Sequence, residues 1–533
     1  MIENKLPNSW IWVPIVELLT ENSNGKLFQQ GWSPQCYSHP ASSNHWGVLK
    51  TTAIQDGEFW DHENKELPES LEPKPHIEVS EGDILMTCAG PRNRCGVVCF
   101  VKKTRPKLLM SGKMYRFRPN NQLLDSKYLE GFIRSHRAQH AIDAMKTGIS
   151  DSGLNLTHGR FAELMVPFAP LNEQKRIVAK IEELFSELDN GIAALKTARE
   201  QLKVYRQSVL KHAFEGKLTA KWREDNADKL ESPEQLLARI QQEREARYQE
   251  QLEDWETAVK EWEINGKKGK KPSKPRKQKI KPIGKSDLDD LFDIPEKWKW
   301  VFLNELSEYI VDGTHHTPDY TDSGVPFISA KDIRDFKINF EEARFISDFQ
   351  HKNLIKRCRP RKNSVLLTKS GTIGRVALVD IDFEFSLFES VSNIPILGNL
   401  QGRFVMWAVY FQVSTYFGAK NQKGVAVRHL HLEDIRRLPV PLPSYNEQTV
   451  FVEKIENIFN RISENEAVID AELLRAETLR QSILKKAFSG QLVPQDPSDE
   501  PASKLLARIQ AEKEFVNTQK TSKSNKRHSV SGH

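Results

Sequence analysis

The chain has 533 residues, of which 38% are hydrophobic and 28% charged, and its net charge at pH 7 is +6. This length predicts several structural units with real hydrophobic cores, and the mild basic excess permits nucleic-acid binding without requiring it. The absence of a long apolar run, of a signal-peptide layout and of a regular cysteine framework argues against a membrane-spanning or disulfide-based protein. It favours a cytoplasmic one.

An internal repeat is the strongest feature of the sequence. Four segments occur twice in the same order, which identifies two copies of one unit. The matching pairs are LPNSWIWV (6–13) with IPEKWKWV (294–301), NEQ (172–174) with NEQ (446–448), RQSVLKHAFEGKLT (206–219) with RQSILKKAFSGQLV (480–493), and LLARIQQE (236–243) with LLARIQAE (505–512).

Each copy opens with a segment of short apolar runs separated by Gly, Pro and Asn. Residues 1–170 contain GDILMTCAG (82–90) and GVVCFV (96–101), and residues 294–443 contain SVLLTKSG (364–371) and GRVALVD (374–380). Such runs predict a mixed, strand-rich globular domain in each copy. The repeated tryptophans Trp10, Trp12, Trp298 and Trp300 favour a shared structural role over base stacking.

A long helix follows each globular domain, at 171–220 and 444–495. One row of apolar residues recurs every seven residues in each helix, which is typical of a coiled coil. These rows are Ile181, Leu188, Leu195, Leu202 and Val209, and Ile455, Ile462, Ile469, Ala476 and Ile483. A second row is predicted at Ile177, Leu184, Gly191, Ala198 and Tyr205, and at Phe451, Ile458, Asn465, Glu472 and Leu479. We expect an antiparallel pair; packing of each helix on its own domain is the alternative.

Between the copies, residues 221–293 combine a charged helical segment with a basic linker. The stretch from Lys267 to Lys285 holds ten Lys or Arg residues and no acid. Its prolines and glycines predict an extended, solvated linker, which could either contact phosphates or serve as a simple tether. Residues 496–533 are predicted to form a C-terminal helix and a disordered basic tail.

The common catalytic motifs are not found. There is no phosphate-binding P-loop, and a nuclease motif beginning at Pro318-Asp319 is incomplete because Ser329 occupies the acidic position before Lys331. Cys95 and Cys99 are interpreted as buried strand residues, and the doublet His315-His316 as a loop contact rather than a metal site. We therefore expect neither a catalytic nor a metal site in this chain.

Polar and basic residues beside glycines are the candidates for DNA contacts, since such side chains bind phosphates and base edges. In the first copy they are Thr87, Arg92, Asn93, Arg94, Lys146, Ser150, Ser152, Asn155 and Arg160. In the second copy they are Lys331, Lys369, Ser370, Thr372, Arg375, Lys420, Asn421, Gln422, Lys423, Arg428 and His429.

Both copies resemble the specificity subunit of type I restriction–modification enzymes. The resemblance rests on the opening Leu/Ile-Pro-x-x-Trp, the proline-rich exits VPFAPLNEQ (166–174) and LPVPLPSYNEQ (438–448), and the Arg-Gln-Ser-x-Leu-Lys-x-Ala-Phe-x-Gly helix ends. It implies an α+β fold with a pseudo-twofold repeat. Two target recognition domains would be separated and joined by two long antiparallel coiled-coil helices.

The same resemblance implies a function without catalysis in this chain. Each recognition domain would read one half of a bipartite, asymmetric double-stranded DNA site, and the helices would fix the gap between the halves. Two modification subunits would methylate adenine with S-adenosylmethionine, and two restriction subunits would use ATP and Mg²⁺. A self-contained nuclease and a protein-binding scaffold are the alternatives left open.

Overall fold

A computed structural model describes residues 6–22, 24–275, 277, 280–289, 291–398, 400–422 and 429–512, without the side chains of 229 and 416–422. The chain forms two compact units. The first comprises Met1–Thr197 and Val468–His533, and the second Ala198–Ala467. Each unit therefore contains one globular domain and parts of both long helices. Within the described residues, no helix has the length and apolar character needed to cross a membrane.

The globular domain of the first unit is built from short strands and three short helices. The main sheet has the order β2-β9-β5-β7, and a smaller one the order β4-β3-β8. The elements are β1 (Ile11–Pro14), β2 (Gln29–Gln30), β3 (Gly47–Leu49), β4 (Asn64–Glu66), β5 (Ile84–Thr87), β6 (Ala89–Gly90), β7 (Val98–Phe100), β8 (Leu108–Leu109), β9 (Met114–Phe117), α1 (Ser126–Arg134), α2 (His136–Met145), β10 (Leu154–Asn155), α3 (His158–Ala162) and β11 (Met165–Phe168).

Helix α1 lies against the main sheet and provides much of the core. It begins after Asp125, whose carboxylate accepts hydrogen bonds from the backbone N–H groups of Lys127 and Tyr128, as is typical of an N-cap. Tyr128 and Phe132 are buried and pack edge-to-face on Phe488. The repeated motif at the end of the second long helix is thus part of the first domain's core.

The second unit contains a related domain with two four-stranded sheets, β13-β22-β19-β20 and β14-β18-β15-β21. Between the first long helix and this domain lie two further helices. The elements are α4 (Leu171–Phe214), α5 (Ala220–Asp225), α6 (Pro233–Ile264), β12 (Lys299–Phe302), α7 (Leu303–Leu306), β13 (Val311–Asp312), β14 (Tyr320–Thr321), β15 (Val325–Ile328), β16 (Ile333–Arg334), β17 (Lys337–Ile338), β18 (Arg344–Ile346), α8 (Asp348–Leu354), β19 (Ser364–Thr368), β20 (Val376–Leu378), β21 (Ser386–Leu387), β22 (Val391–Pro395), α9 (Gly402–Gln422), α10 (Leu432–Arg436), β23 (Pro439–Leu442) and α11 (Tyr445–Ala487).

The two long helices, α4 and α11, pack antiparallel. In the first unit Asp189 forms an ion pair with Arg480, and in the second Arg206 lies 3.1 Å from Glu466. From Asp189 to Arg206 the chain advances along α4, while the partner in α11 moves back from Arg480 to Glu466, as antiparallel packing requires. The expected helix pairing is confirmed, but the helices also pack on domains: Phe214, at the end of α4, stacks among Phe404, Phe411 and Phe451.

The first heptad row agrees with the seam, and the second row agrees in part, because Ile177, Leu184, Ala198, Phe451 and Ile458 are buried or half-buried. Its other positions do not lie in the seam. Gly191, Tyr205, Asn465, Glu472 and Leu479 are exposed. The seam instead continues through half-buried or buried Val178, Phe185, Ile192 and Arg206, and Val452, Phe459, Glu466, Leu473 and Arg480. Both choices alternate steps of three and four residues, so periodicity alone does not distinguish them. The charged seam residues are accommodated by pairing, and Arg480 covers the ring of Phe185 at 4.7 Å.

The Asn-Glu-Gln motif fixes the start of each long helix. The Gln174 side chain donates to the carbonyls of Leu123 and Ala169, and Gln448 donates to that of Pro443. The neighbouring glutamates accept hydrogen bonds from segments that are distant in the sequence. Glu173 accepts from Trp10 and Gln495, and Glu447 accepts from Thr219 and Arg223. Trp10, Trp298 and Trp300 are buried, which confirms their structural role.

The described residues of the basic linker are extended and mostly exposed, and they lie along α6. Three aromatic residues of α6 are spaced by seven: Tyr248, Trp255 and Trp262. Lysines of the linker lie over these rings at 5.4–5.9 Å. Indole N–H groups donate to the carbonyls of Pro272 and Gly269. Cation–π contacts and the ion pair of Lys277 with Glu245 thus hold the exposed linker along this helix.

Candidate nucleic-acid interface

The loop between β5 and β7 is shaped by two residues that the sequence predicted as DNA contacts. Thr87 is buried, and its hydroxyl donates to the carbonyl of Arg94 and accepts from the N–H of Val97. The Arg94 guanidinium donates to the carbonyls of Thr51 and Ile54 at 2.6 and 2.7 Å. Direct base contact by Thr87 is therefore corrected to a structural role, because a buried, bonded hydroxyl cannot reach a ligand in this conformation.

The structure joins this loop to a second predicted cluster further along the chain. Strand β6 pairs with β10, and the N–H of Arg92 donates to the carbonyl of Asp151 at 2.9 Å. The Lys146 ammonium donates to the carbonyl of Arg92, also at 2.9 Å. Residues 91–94 and 146–155 thus form one surface, which we call the first loop surface.

Two carboxylates control the positive charge of the first loop surface. Arg92 pairs with Asp143 at 2.7 Å and Asp151 at 3.0 Å, and hydrogen bonding to Asp151, with the field of Asp143, raises the pKa of Arg92. Lys146 lies 2.9 Å from Asp143 and its side chain is only 5% exposed. The side chains left accessible are mainly neutral. Those predicted from the sequence and found exposed are Asn93, Ser150, Ser152 and Asn155, with Arg160 nearby.

The second domain repeats this construction with different residues. Ser370 pairs with His429 as an isolated bridge, and the N–H of Leu430 donates to the carbonyl of Lys369 at 2.9 Å. Thr368 is buried and bonds to the backbone of Thr372 and Arg375, as Thr87 does in the first domain. Residues 369–375 together with His429 form the second loop surface.

A buried carboxylate organises the charge beneath the second loop surface. Asp312 lies 3.0 Å from Lys369, 2.6 Å from Arg357 and 3.2 Å from His315. Burial alone would raise the pKa of Asp312, but hydrogen bonds and charge from Lys369 and His315 lower it. His315 also lies 2.7 Å from Glu389. Within the described ranges, neither these side chains nor any other group of three His, Cys, Asp or Glu residues is arranged to hold a metal ion.

The remaining predicted residues of the second copy have different positions. Thr372 and Lys331 are exposed, whereas Arg375 is half-buried and donates to the carbonyl of Ile333 at 3.1 Å. The backbone of three further predicted residues lies at the end of α9: Lys420, Asn421 and Gln422. Lys423 and Arg428 lie outside the described residues.

Sequence reasoning missed the acidic residues that hold the loop surfaces and one exposed apolar residue. Asp312 is 57 residues before Lys369 in the chain, so no local pattern indicates their contact. Ile149 projects from the first loop surface and is fully exposed. A signal for Ile149 is present in the sequence, because Gly148-Ile149 recurs as Gly424-Val425.

Comparison with known proteins agrees with this two-domain architecture. The family model described as the type I restriction modification DNA specificity domain matches residues 53–197 and 295–475, more than half of the chain. The chain therefore belongs to this family. Its members are the specificity subunits of type I restriction enzymes, which recognise DNA and are not themselves catalytic.

Individual relatives cover different parts of the chain. The EcoEI specificity subunit of Escherichia coli is 36% identical over 37% of this chain and 32% of its own length. The EcoKI subunit of Escherichia coli strain K12 is 24% identical over 98% and 99% of the two chains. A solved chain from a study of complex assembly in the type I R-M system covers 92% of this chain and 100% of its own, with a TM-score of 0.61 and 17% identity, which shows a shared fold.

Proposed function

We propose that this chain recognises a bipartite, asymmetric site in double-stranded DNA. The first and second loop surfaces each read one half. The observation that carries this proposal is the repeated loop construction. Thr87 and Thr368 shape equivalent loops in the two domains, yet the exposed residues around them differ. Two loops with the same buried threonine but different exposed side chains suit recognition of two different DNA sequences, because the side chains that hydrogen-bond to base edges determine specificity.

The long helices set the gap between the half-sites and dock the modification subunits. Each helix begins in one compact unit and ends in the other, which supports a role for its length in setting the gap. Two modification subunits methylate adenine with S-adenosylmethionine, and two restriction subunits use ATP and Mg²⁺. This chain requires no cofactor of its own.

The proposal is tested by expressing the chain with its modification subunits and mapping methyladenine by methylation-sensitive sequencing. A two-part motif is expected. Exchanging residues 294–443 for the equivalent domain of a relative should change one half of the motif and leave the other intact. Removing one heptad from α4 and one from α11 should alter the gap while both halves persist. A continuous motif, or methylation by the chain alone, would contradict the proposal.

A further inference from the structure

Ile149 lies at the tip of a tightly bonded loop. Thr147 and Asn155 exchange backbone hydrogen bonds of 2.8 and 2.7 Å, and the N–H of Gly153 donates to the carbonyl of Ser150 at 3.1 Å. The hydroxyls of Ser150 and Ser152 lie 3.0 Å apart. These bonds close residues 147–155 into a compact turn whose shape does not depend on packing of the isoleucine.

The conformation of the turn prevents the Ile149 side chain from packing against the domain. A Cβ atom at Gly148 would lie 2.7 Å from the carbonyl oxygen of Gly153, so the backbone is already in close approach there. The loop is also tied to the body of the domain, since the N–H of Arg92 donates to the carbonyl of Asp151 at 2.9 Å. Turning Ile149 inward would break these contacts. The side chain is therefore held outward, where a β-branched residue has few rotamers to lose on binding.

The sequence of the second copy contains the same pair of residue types. Leu156 and Leu430 are equivalent, because each donates its N–H at 2.9 Å to the residue after the buried threonine, Cys88 or Lys369. Shortly before these leucines the chain reads Gly148-Ile149 and Gly424-Val425. Val425 lies outside the described residues. A glycine followed by a β-branched apolar residue thus recurs in loops that otherwise differ.

We propose that Ile149 reads DNA through the C5-methyl group of a thymine in the major groove. This inference rests on the proposed function. Around Ile149 the first loop surface offers hydroxyl and amide groups suited to base edges: Asn93, Ser150, Ser152 and Asn155. An apolar side chain among such groups complements the one apolar feature of the major-groove edge, the thymine methyl.

The opposite charges of the neighbourhood support base-edge reading over backbone binding. Arg92 and Lys146 are engaged by Asp143, and Arg92 also by Asp151. The Arg94 guanidinium is bonded to backbone carbonyls. Such a surface gains little from phosphates, because its cations are engaged and the carboxylates repel phosphate. Recognition by this surface therefore depends on shape and on contacts of neutral side chains, and the contact of Ile149 is one of these.

The test compares the unchanged chain with Ile149→Ser, both assembled with the modification subunits. We expect the methylation motif of Ile149→Ser to relax at one A·T pair in one half-site and to stay unchanged in the other half. Ile149→Val should keep the motif. The matched control is Ile264→Ser, which alters an exposed isoleucine at the end of α6 (83% exposed) and should change nothing.

Thymine-to-uracil replacement isolates the methyl group. In duplexes carrying the mapped motif, uracil at the relaxed position should weaken binding of the unchanged complex by about fourfold, the value of one buried methyl-sized group. It should have no effect on Ile149→Ser. The role of Ile149 would be overturned if Ile149→Ser kept an unchanged motif, relaxed it at a G·C pair, or methylated all sequences equally poorly. A two-part motif in these cases would still support the proposed function. Absence of any two-part motif from the unchanged complex would overturn both.

Discussion

Gly216 and Pro295 pack against each other at the point where one repeat motif meets the other. Gly216 has φ +73°, and a Cβ there would lie 2.8 Å from the Cδ of Pro295 and closer still to its Cγ. The same relation joins Gly490, with φ +72°, to Pro7. The helix-end glycine of one copy thus accommodates the opening proline of the other, which explains why both motifs recur.

Replacing Gly216 with alanine should destabilise the second unit. The side chain would face both a left-handed backbone conformation and the Pro295 ring, so we expect a loss of about 1–3 kcal/mol in the free energy of unfolding. Denaturant unfolding followed by fluorescence measures it. Gly191→Ala is the matched control: Gly191 is helical with open space around it, so alanine should stabilise by up to about 1 kcal/mol. Equal effects of the two changes would contradict this explanation.

The stability of the first unit should depend on the protonation of Glu130. Burial raises the pKa of Glu130 to about 7, although the charge of Arg134 opposes this. Because the folded pKa exceeds the unfolded value of 4.5, the folded state favours the proton, and stability should fall by about 3 kcal/mol as pH rises from about 4.5 to 7. Glu130→Gln should remove most of that fall. Unfolding measured at pH 5 and pH 8 tests it, and an undiminished difference in the variant would refute it.

Removing the Thr87 hydroxyl should disturb the first loop surface without emptying the core. Thr87→Val keeps the shape but leaves the N–H of Val97 without its 3.0 Å partner, a loss of about 1–3 kcal/mol in local stability. Methylation of the half-site read by the first domain should slow. Thr87→Ser, which retains the hydroxyl, should rescue the rate. If Val and Ser variants methylate equally well, the hydroxyl does not shape the loop.

Trp255 should hold the basic linker on α6. Its ring lies 5.4 Å from the Lys274 ammonium, and its indole N–H donates to the carbonyl of Pro272 at 3.1 Å. Trp255→Ala removes both interactions, so trypsin should cut the linker faster, whereas Trp255→Phe should show an intermediate rate. The cleavage rate is read by mass spectrometry. Identical rates for all three chains would show that the linker is held by other contacts.

Local sequence patterns determined the duplicated architecture, the strand-rich domains and the pairing of two long helices. Repeats and heptad spacing reside in the order of residues, so they can be recognised before any contact is known. The same patterns identified residues 87–94 and 369–375 as loop clusters within each domain. The burial of Cys95, Cys99, Trp10, Trp298 and Trp300 followed from the same patterns, whereas Trp12 is only half-buried.

Only the tertiary structure decided which residues meet. Three features depend on groups up to 291 residues apart: the side of the helix seam, the retention of the linker on α6, and the contacts of Glu447 with Thr219 and Arg223. Side-chain spacing is equally satisfied by both candidate seams, and polarity alone does not distinguish buried Thr87 from an exposed contact. Burial and hydrogen bonding across distant segments resolve these choices, because their free energies arise only when the chain is folded.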